Sequence, residues 1–199
     1  YVDSTAGIAQ TAQTACLAGT YNANTGSTTS SDCLDADAGY YVDSTASTAQ
    51  TACAAGTYQA STGQSSCTDA SAGYYVDSTT QTAQTACLAG TYNANTGSIT
   101  SSDCLDADAG YYVPTTGQTS QTACLAGTYN ANTGSTTSSD CLDADAGNYV
   151  GSTGQTTQTE CAEGTYQAST GQSSCIDADA GYYVPTTGQT SQTECAAGT

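Results

Sequence analysis

Residues 53–67 read "CAAGTYQASTGQSSC". Between the two cysteines lie Gly56, a Thr-Tyr pair and the turn signal "STG" at 61–63. Glycine supplies a positive φ and serine a local hydrogen bond, so the chain is expected to reverse near Gly63. The flanking "GTYQ" and "QSSC" carry aromatic and hydroxyl residues suited to short strands. The stretch therefore predicts a small β-hairpin tied across its base by a disulfide. Closing a loop of this size is worth roughly 3 kcal/mol in the chain-entropy treatment.

Read outward, the pattern repeats. The 11 cysteines fall at 16, 33, 53, 67, 87, 104, 124, 141, 161, 175 and 195, so every second gap is 20 and the others are 14 or 17. A finer period runs beneath, with glycine at 19, 39, 56, 73, 90, 110, 127, 147, 164, 181 and 198, spaced 17 or 20 apart and followed two places on by tyrosine where the chain continues. Residues 1–199 thus form a single tandem array of about eleven units, some lengthened by three residues such as "TTS" in "NANTGSTTSSDC". Such periods signal a quasi-one-dimensional array in which each unit packs only on its neighbours.

Two unit types alternate. One opens with cysteine three residues before its glycine; the other, as in "ADAGYYV", has Ala36 there and Gln50 at the closing position. Both ends lose cysteine together in every copy, which marks the two positions as bonding partners. The expected bridges are 16–33, 53–67, 87–104, 124–141 and 161–175, with the partner of Cys195 beyond Thr199. A shifted register, 33–53, 67–87 and onward, satisfies the same parity and leaves Cys16 over. The cysteine-free unit repeats the hairpin plan in "GYYVDSTTQTAQT" (73–85) and must lean on its stapled neighbours. Pro114 and Pro185 stand where its turn begins, which suits their fixed φ.

Composition narrows the function classes. The chain has no Lys, Arg or His and a formal charge of −18. The usual acid–base and oxyanion groups are therefore scarce, and no enzyme is expected. Nucleic-acid binding, which neutralises phosphates with basic residues, is excluded, and docking on anionic lipid is disfavoured. No apolar run approaches the ~20 residues of a spanning helix, so no membrane insertion is expected in this segment. Val, Leu and Ile total 15 and Phe is absent. So thin a core predicts disorder unless covalent staples replace it, and staples persist in oxidising compartments. A zinc site is not expected, since no CxxC pair and no His occur.

The unit "CAAGTYQASTGQSSC" resembles the ephrin-receptor-like cysteine-rich repeat, whose units read roughly C-P-x-G-T-Y, a glycine turn, then C-x-x-C. The resemblance covers essentially the whole chain and extends to long repeat regions of microbial surface proteins. The sequence departs from that pattern in lacking proline after each unit-opening cysteine and in replacing half the cysteines, for example at Ala36 and Gln50. The fold the resemblance implies is all-β: an elongated, extracellular, disulfide-stapled array of short hairpins with no helices.

Three residue sets are candidates for chemistry. Asp32, Asp35 and Asp37, repeated as Asp103, Asp106, Asp108 and Asp140, Asp143, Asp145, offer hard oxygen ligands for calcium. The bidentate Glu of a calcium loop is missing, with Ala46 in its place, so a solvated acidic face is the competing reading. Ser/Thr clusters make Thr28, Thr29, Thr136, Thr137, Thr156 and Thr157 candidate O-glycan acceptors; no Asn-x-Ser/Thr sequon exists. The competing reading is plain strand and turn propensity. The tyrosines, in register after each glycine, are expected to stack between units.

The expected role is structural: a subunit or segment of an extracellular or cell-surface fibril that self-associates head to tail. Joining the terminal "AAGT" to Tyr1 restores "AGTY" at a permitted spacing, so the chain reads as a window of a longer or polymeric protein. An adhesin stalk is the main rival. Ice or mineral binding is a weaker one, because the Thr-x-Thr rows it needs are poorly supplied.

Overall fold

Each unit builds the smallest antiparallel ladder available, two residues per strand. In a computed structural model, which describes residues 12–196 and residue 198, the Thr-Tyr or Tyr-Tyr after the unit glycine (Asn148-Tyr149 in one copy) pairs with the two residues that follow the unit's closing position. The 53–67 unit sets the pattern: Thr57 lies opposite Asp69 and Tyr58 opposite Thr68. Ten such two-stranded ladders recur among the described residues, and no α-helix is present there. The expectations drawn from Tyr1 and Thr199 lie outside the described residues.

The chain divides into two compact units, Tyr1–Cys87 with Asn93–Cys104, and Leu88–Tyr92 with Leu105–Thr199. Within the first, disulfides join Cys16–Cys33, Cys53–Cys67 and Cys87–Cys104; within the second, Cys124–Cys141 and Cys161–Cys175. The bridged cysteines stand 5.6 to 5.8 Å apart at Cα, within the usual disulfide range. The bonded pairs are the two ends of one hairpin, and the shifted register beginning 33–53 does not occur. Cys195 carries a free, exposed thiol.

Two-residue ladders are marginal alone, and successive hairpins supply what they lack. In the first compact unit the N–H of Gly56 donates to the carbonyl of Val76 (2.7 Å), that of Gln59 to Gln81 (3.0 Å), and that of Thr80 back to Cys53 (2.9 Å). The second repeats the three bonds as Gly127 to Val150 (2.8 Å), Asn130 to Gln155 (3.0 Å) and Gly154 to Cys124 (2.9 Å). Backbone groups that the short ladders leave unpaired are thereby satisfied in the next hairpin.

Contacts also reach the second neighbour, a departure from the nearest-neighbour packing expected of such arrays. A Cβ on Gly19 would lie 2.3 Å from the carbonyl oxygen of Gly63, two hairpins on; in the second compact unit the same holds for Gly127 and Gly171. At Gly19 and Gly127 the glycine is needed twice over: φ is 89° and 90°, and only a bare Cα admits the incoming backbone.

The core is a string of small residues. The opening residue is buried from Cys16 through Cys161, as Cys16, Cys53, Cys87, Cys124 and Cys161 in stapled hairpins and Ala36, Ala70, Ala107 and Ala144 in the others. Six places on, the cysteine-free hairpins bury Val42, Val76, Val113, Val150 and Val184, whereas stapled hairpins bury Asn93, Asn130 and Gln167. The three-residue insertions form single 3₁₀ turns at Ser30–Asp32, Ser101–Asp103 and Ser138–Asp140.

Candidate functional site

The acidic phrase has three aspartates with three separate tasks. Asp32 closes its 3₁₀ turn: one carboxylate oxygen accepts the N–H groups of Thr28 and Thr29, both at 3.0 Å. Asp103 does the same for Ile99 and Thr100, and Asp140 for Thr136 and Thr137. Backbone donation from Thr29 and then Thr28 holds the Asp32 carboxyl below the ordinary carboxylate value, as Thr137 and Thr136 do for Asp140.

Asp37 serves a clamp. The Gln50 side chain accepts the Asp37 N–H through Oε1 and donates through Nε2 to the Asp37 carboxylate, both at 2.7 Å. Asp108 with Gln121, Asp145 with Gln158 and Asp179 with Gln192 repeat both bonds. Ser71 stands in the aspartate's place in the remaining copy and keeps one, its N–H donating to Gln84 Oε1 at 2.6 Å. The closing glutamine thus occupies the cysteine's place in sequence and fastens the cysteine-free hairpin there without covalent chemistry.

The third aspartate faces a turn two hairpins away. A Cβ on Gly63 would come within 3.3 Å of the Asp35 carboxyl, one on Gly171 within 3.3 Å of Asp143, and one on Gly134 within 3.8 Å of Asp106. Each trio therefore points to a cap, a clamp and a turn. Among the described residues no group of three or more His, Cys, Asp or Glu comes together to hold a metal ion. That applies to all nine calcium candidates, Asp32, Asp35, Asp37, Asp103, Asp106, Asp108, Asp140, Asp143 and Asp145.

The glycan candidates Thr28, Thr29, Thr136, Thr137, Thr156 and Thr157 are all exposed. Thr29 and Thr137 share their hydroxyls with Ser31 and Ser139 at 2.7 Å. At position 136 a β-branched side chain has a packing task. The Thr136 Cγ2 methyl would lie 3.2 Å from a Cβ on Gly90, and Ile99 places its own Cγ2 3.0 Å from the same point on Gly56. The position takes either residue because the inward branch is a methyl in both.

The tyrosines are mostly half-buried, and their cross-strand partners are Leu, Ile, Ala or Thr, as Tyr21 opposite Leu34, Tyr41 opposite Thr51 and Tyr166 opposite Ile176, with Glu194 opposite Tyr182 the exception among the described residues. Exposed aliphatics gather in the stapled hairpins beside the bridges, as Leu88 at 72 % and Leu125 at 71 %.

Sequence reading missed the buried amides. Asn93 and Asn130 are 1 % exposed; each donates 2.7 Å to a serine hydroxyl five residues on and accepts an N–H from the residue two on. Gln167 spans the shorter loop, donating to the Ser174 carbonyl at 2.9 Å. The signal was present: Asn22, Asn93 and Asn130 accompany 17-residue loops, Gln59 and Gln167 the 14-residue ones. The longer amide reaches where the insertion is absent.

No family model matches the chain, and no curated protein matches it. Among the described residues no helix is long and apolar enough to cross a membrane. Five disulfides suit an oxidising environment of folding. Tandem disulfide-rich hairpins of this kind are consistent with a structural repeat protein.

Proposed function

We propose that the chain is a structural segment of an extracellular filament, assembled by repetition and decorated with O-glycans on its exposed threonines. The observation that carries this reading is the recurrence of one hairpin with the same three backbone bonds to the next. In both compact units the polar side chains that repeat are spent on holding the hairpins: caps, clamps and buried amides. A surface charge of −18 without a cation keeps such a segment soluble and hydrated. The likeness to ephrin-receptor-like repeats and to microbial surface repeats supports the extracellular setting as part of the same proposal.

Electron microscopy of native material, with intact mass before and after chemical deglycosylation, tests it. Filaments with a repeat commensurate with the hairpin array, and a mass excess removed by deglycosylation, are expected. Monomers at native concentration contradict the filament. An unmodified mass contradicts the glycans.

A further inference from the structure

The covalent path through this chain alternates between closed and open stretches. Bridges close spans of 17, 14, 17, 17 and 14 residues. Between them run four open stretches of 20 residues each: Cys33 to Cys53, Cys67 to Cys87, Cys104 to Cys124 and Cys141 to Cys161. Each open stretch contains one cysteine-free hairpin, held by a two-residue ladder and a glutamine clamp.

We propose that the chain is a tether with two tiers of extension. Under tension the cysteine-free hairpins pay out, while the bridged hairpins stay closed and set a ceiling on length. Ladders of this size are marginal by themselves, and the clamps are surface hydrogen bonds, so the open stretches yield at forces that leave covalent bonds intact. An open stretch drawn straight supplies roughly 70 Å at 3.3–3.6 Å per residue. A bridged stretch supplies only its 5.6 to 5.8 Å Cα–Cα span in place of its loop. About half of the contour between Cys16 and Cys175 is thus withheld while the bridges stand. The alternation of stapled and unstapled hairpins, which stability alone does not require, gives both give and a stop. The inference goes beyond the filament reading and holds whether or not the chain polymerises.

The test stretches the full chain between end tags in magnetic tweezers, with the Cys195 thiol capped. Without reductant, extension of the whole chain, which also carries residues 1–16 and 175–199 outside the bridges, is expected to rise and then stop at roughly two-thirds of its final value. Dithiothreitol is then added. Each bridge takes two electrons and two protons from it, leaving two cysteine thiols and one cyclic disulfide of the reagent. Five further steps follow, three longer ones from the 17-residue loops and two shorter ones from the 14-residue loops. Reaching full length without reductant, or showing no yield before reduction at forces that leave covalent bonds intact, overturns the proposal. In a second arm, Gln121→Ala with Gln158→Ala lowers the force of the earliest yields and leaves the ceiling where it was. An unchanged yield force contradicts the clamps' part. Should that variant fail to fold, the wild-type arm decides alone.

Discussion

A methyl group placed on Gly56 would lie 2.6 Å from the carbonyl oxygen of Gly97, at a residue whose φ of 85° already strains any other side chain. Neither problem is relieved by moving a flexible side chain, because the obstacle is backbone. Gly56→Ala is therefore expected to cost about 2–4 kcal/mol, read as a drop in the urea midpoint. The reverse opportunity exists at the turns. Ala46 and Thr80 hold φ of 60° and 62° where sister hairpins have glycine, and Thr80 adds a β-branch to the strain. Thr80→Gly is expected to raise stability by about 0.5–1 kcal/mol, the relief of strain exceeding the added entropy of the unfolded chain; a lower midpoint would contradict this. The recurrence of the unit glycine is legible in sequence. The close approach at Gly56 is not, since a period gives spacing but not which units touch.

At the scale of the hairpin, two fastenings solve one problem. A disulfide closes one type and the Asp–Gln clamp the other, and the copies differ enough to serve as controls. Gln121→Ala removes a bond to a carboxylate as well as one to a backbone N–H, whereas Gln84→Ala removes only the latter. The first is expected to cost about 1–2 kcal/mol and the second about half that, compared by denaturant midpoints. Equal losses would show that the carboxylate bond contributes nothing. The insertion turns respond to acid instead. The carboxyls of Asp32 and Asp140 are depressed by backbone donation, so their contribution is complete above the ordinary value of 3.8 and lost as pH falls through the lower folded-state values. Carboxyl carbon shifts followed by NMR should show both groups titrating below 3.8; midpoints at or above it would refute the caps. The disulfide pairing is legible because cysteine vanishes from both hairpin ends together. The clamp is written as plainly, with Gln50 standing 13 positions after Asp37 and Gln121 the same distance after Asp108. A surface glutamine nevertheless has no distinctive chemistry until its partner is placed, and so it passes as filler. Neighbouring carboxylates of the acidic phrase are likewise divided among tasks: Asp32 accepts from backbone N–H groups, Asp37 from the Gln50 amide, and Asp35 faces the Gly63 turn.

The molecule as a whole replaces an oily interior with small buried residues and covalent loops. Removing one bridge by Cys124→Ser with Cys141→Ser should cost about 3 kcal/mol by the loop-entropy argument. The most direct test of the account is the disulfide map of the native chain, digested without reduction. Cleavage after tyrosine puts every cysteine on its own peptide. The account predicts that the peptide holding Cys53 is linked to the one holding Cys67, and likewise 16 with 33, 87 with 104, 124 with 141 and 161 with 175. Recovery of a 33–53 linkage, or of these ten cysteines as free thiols, would contradict it.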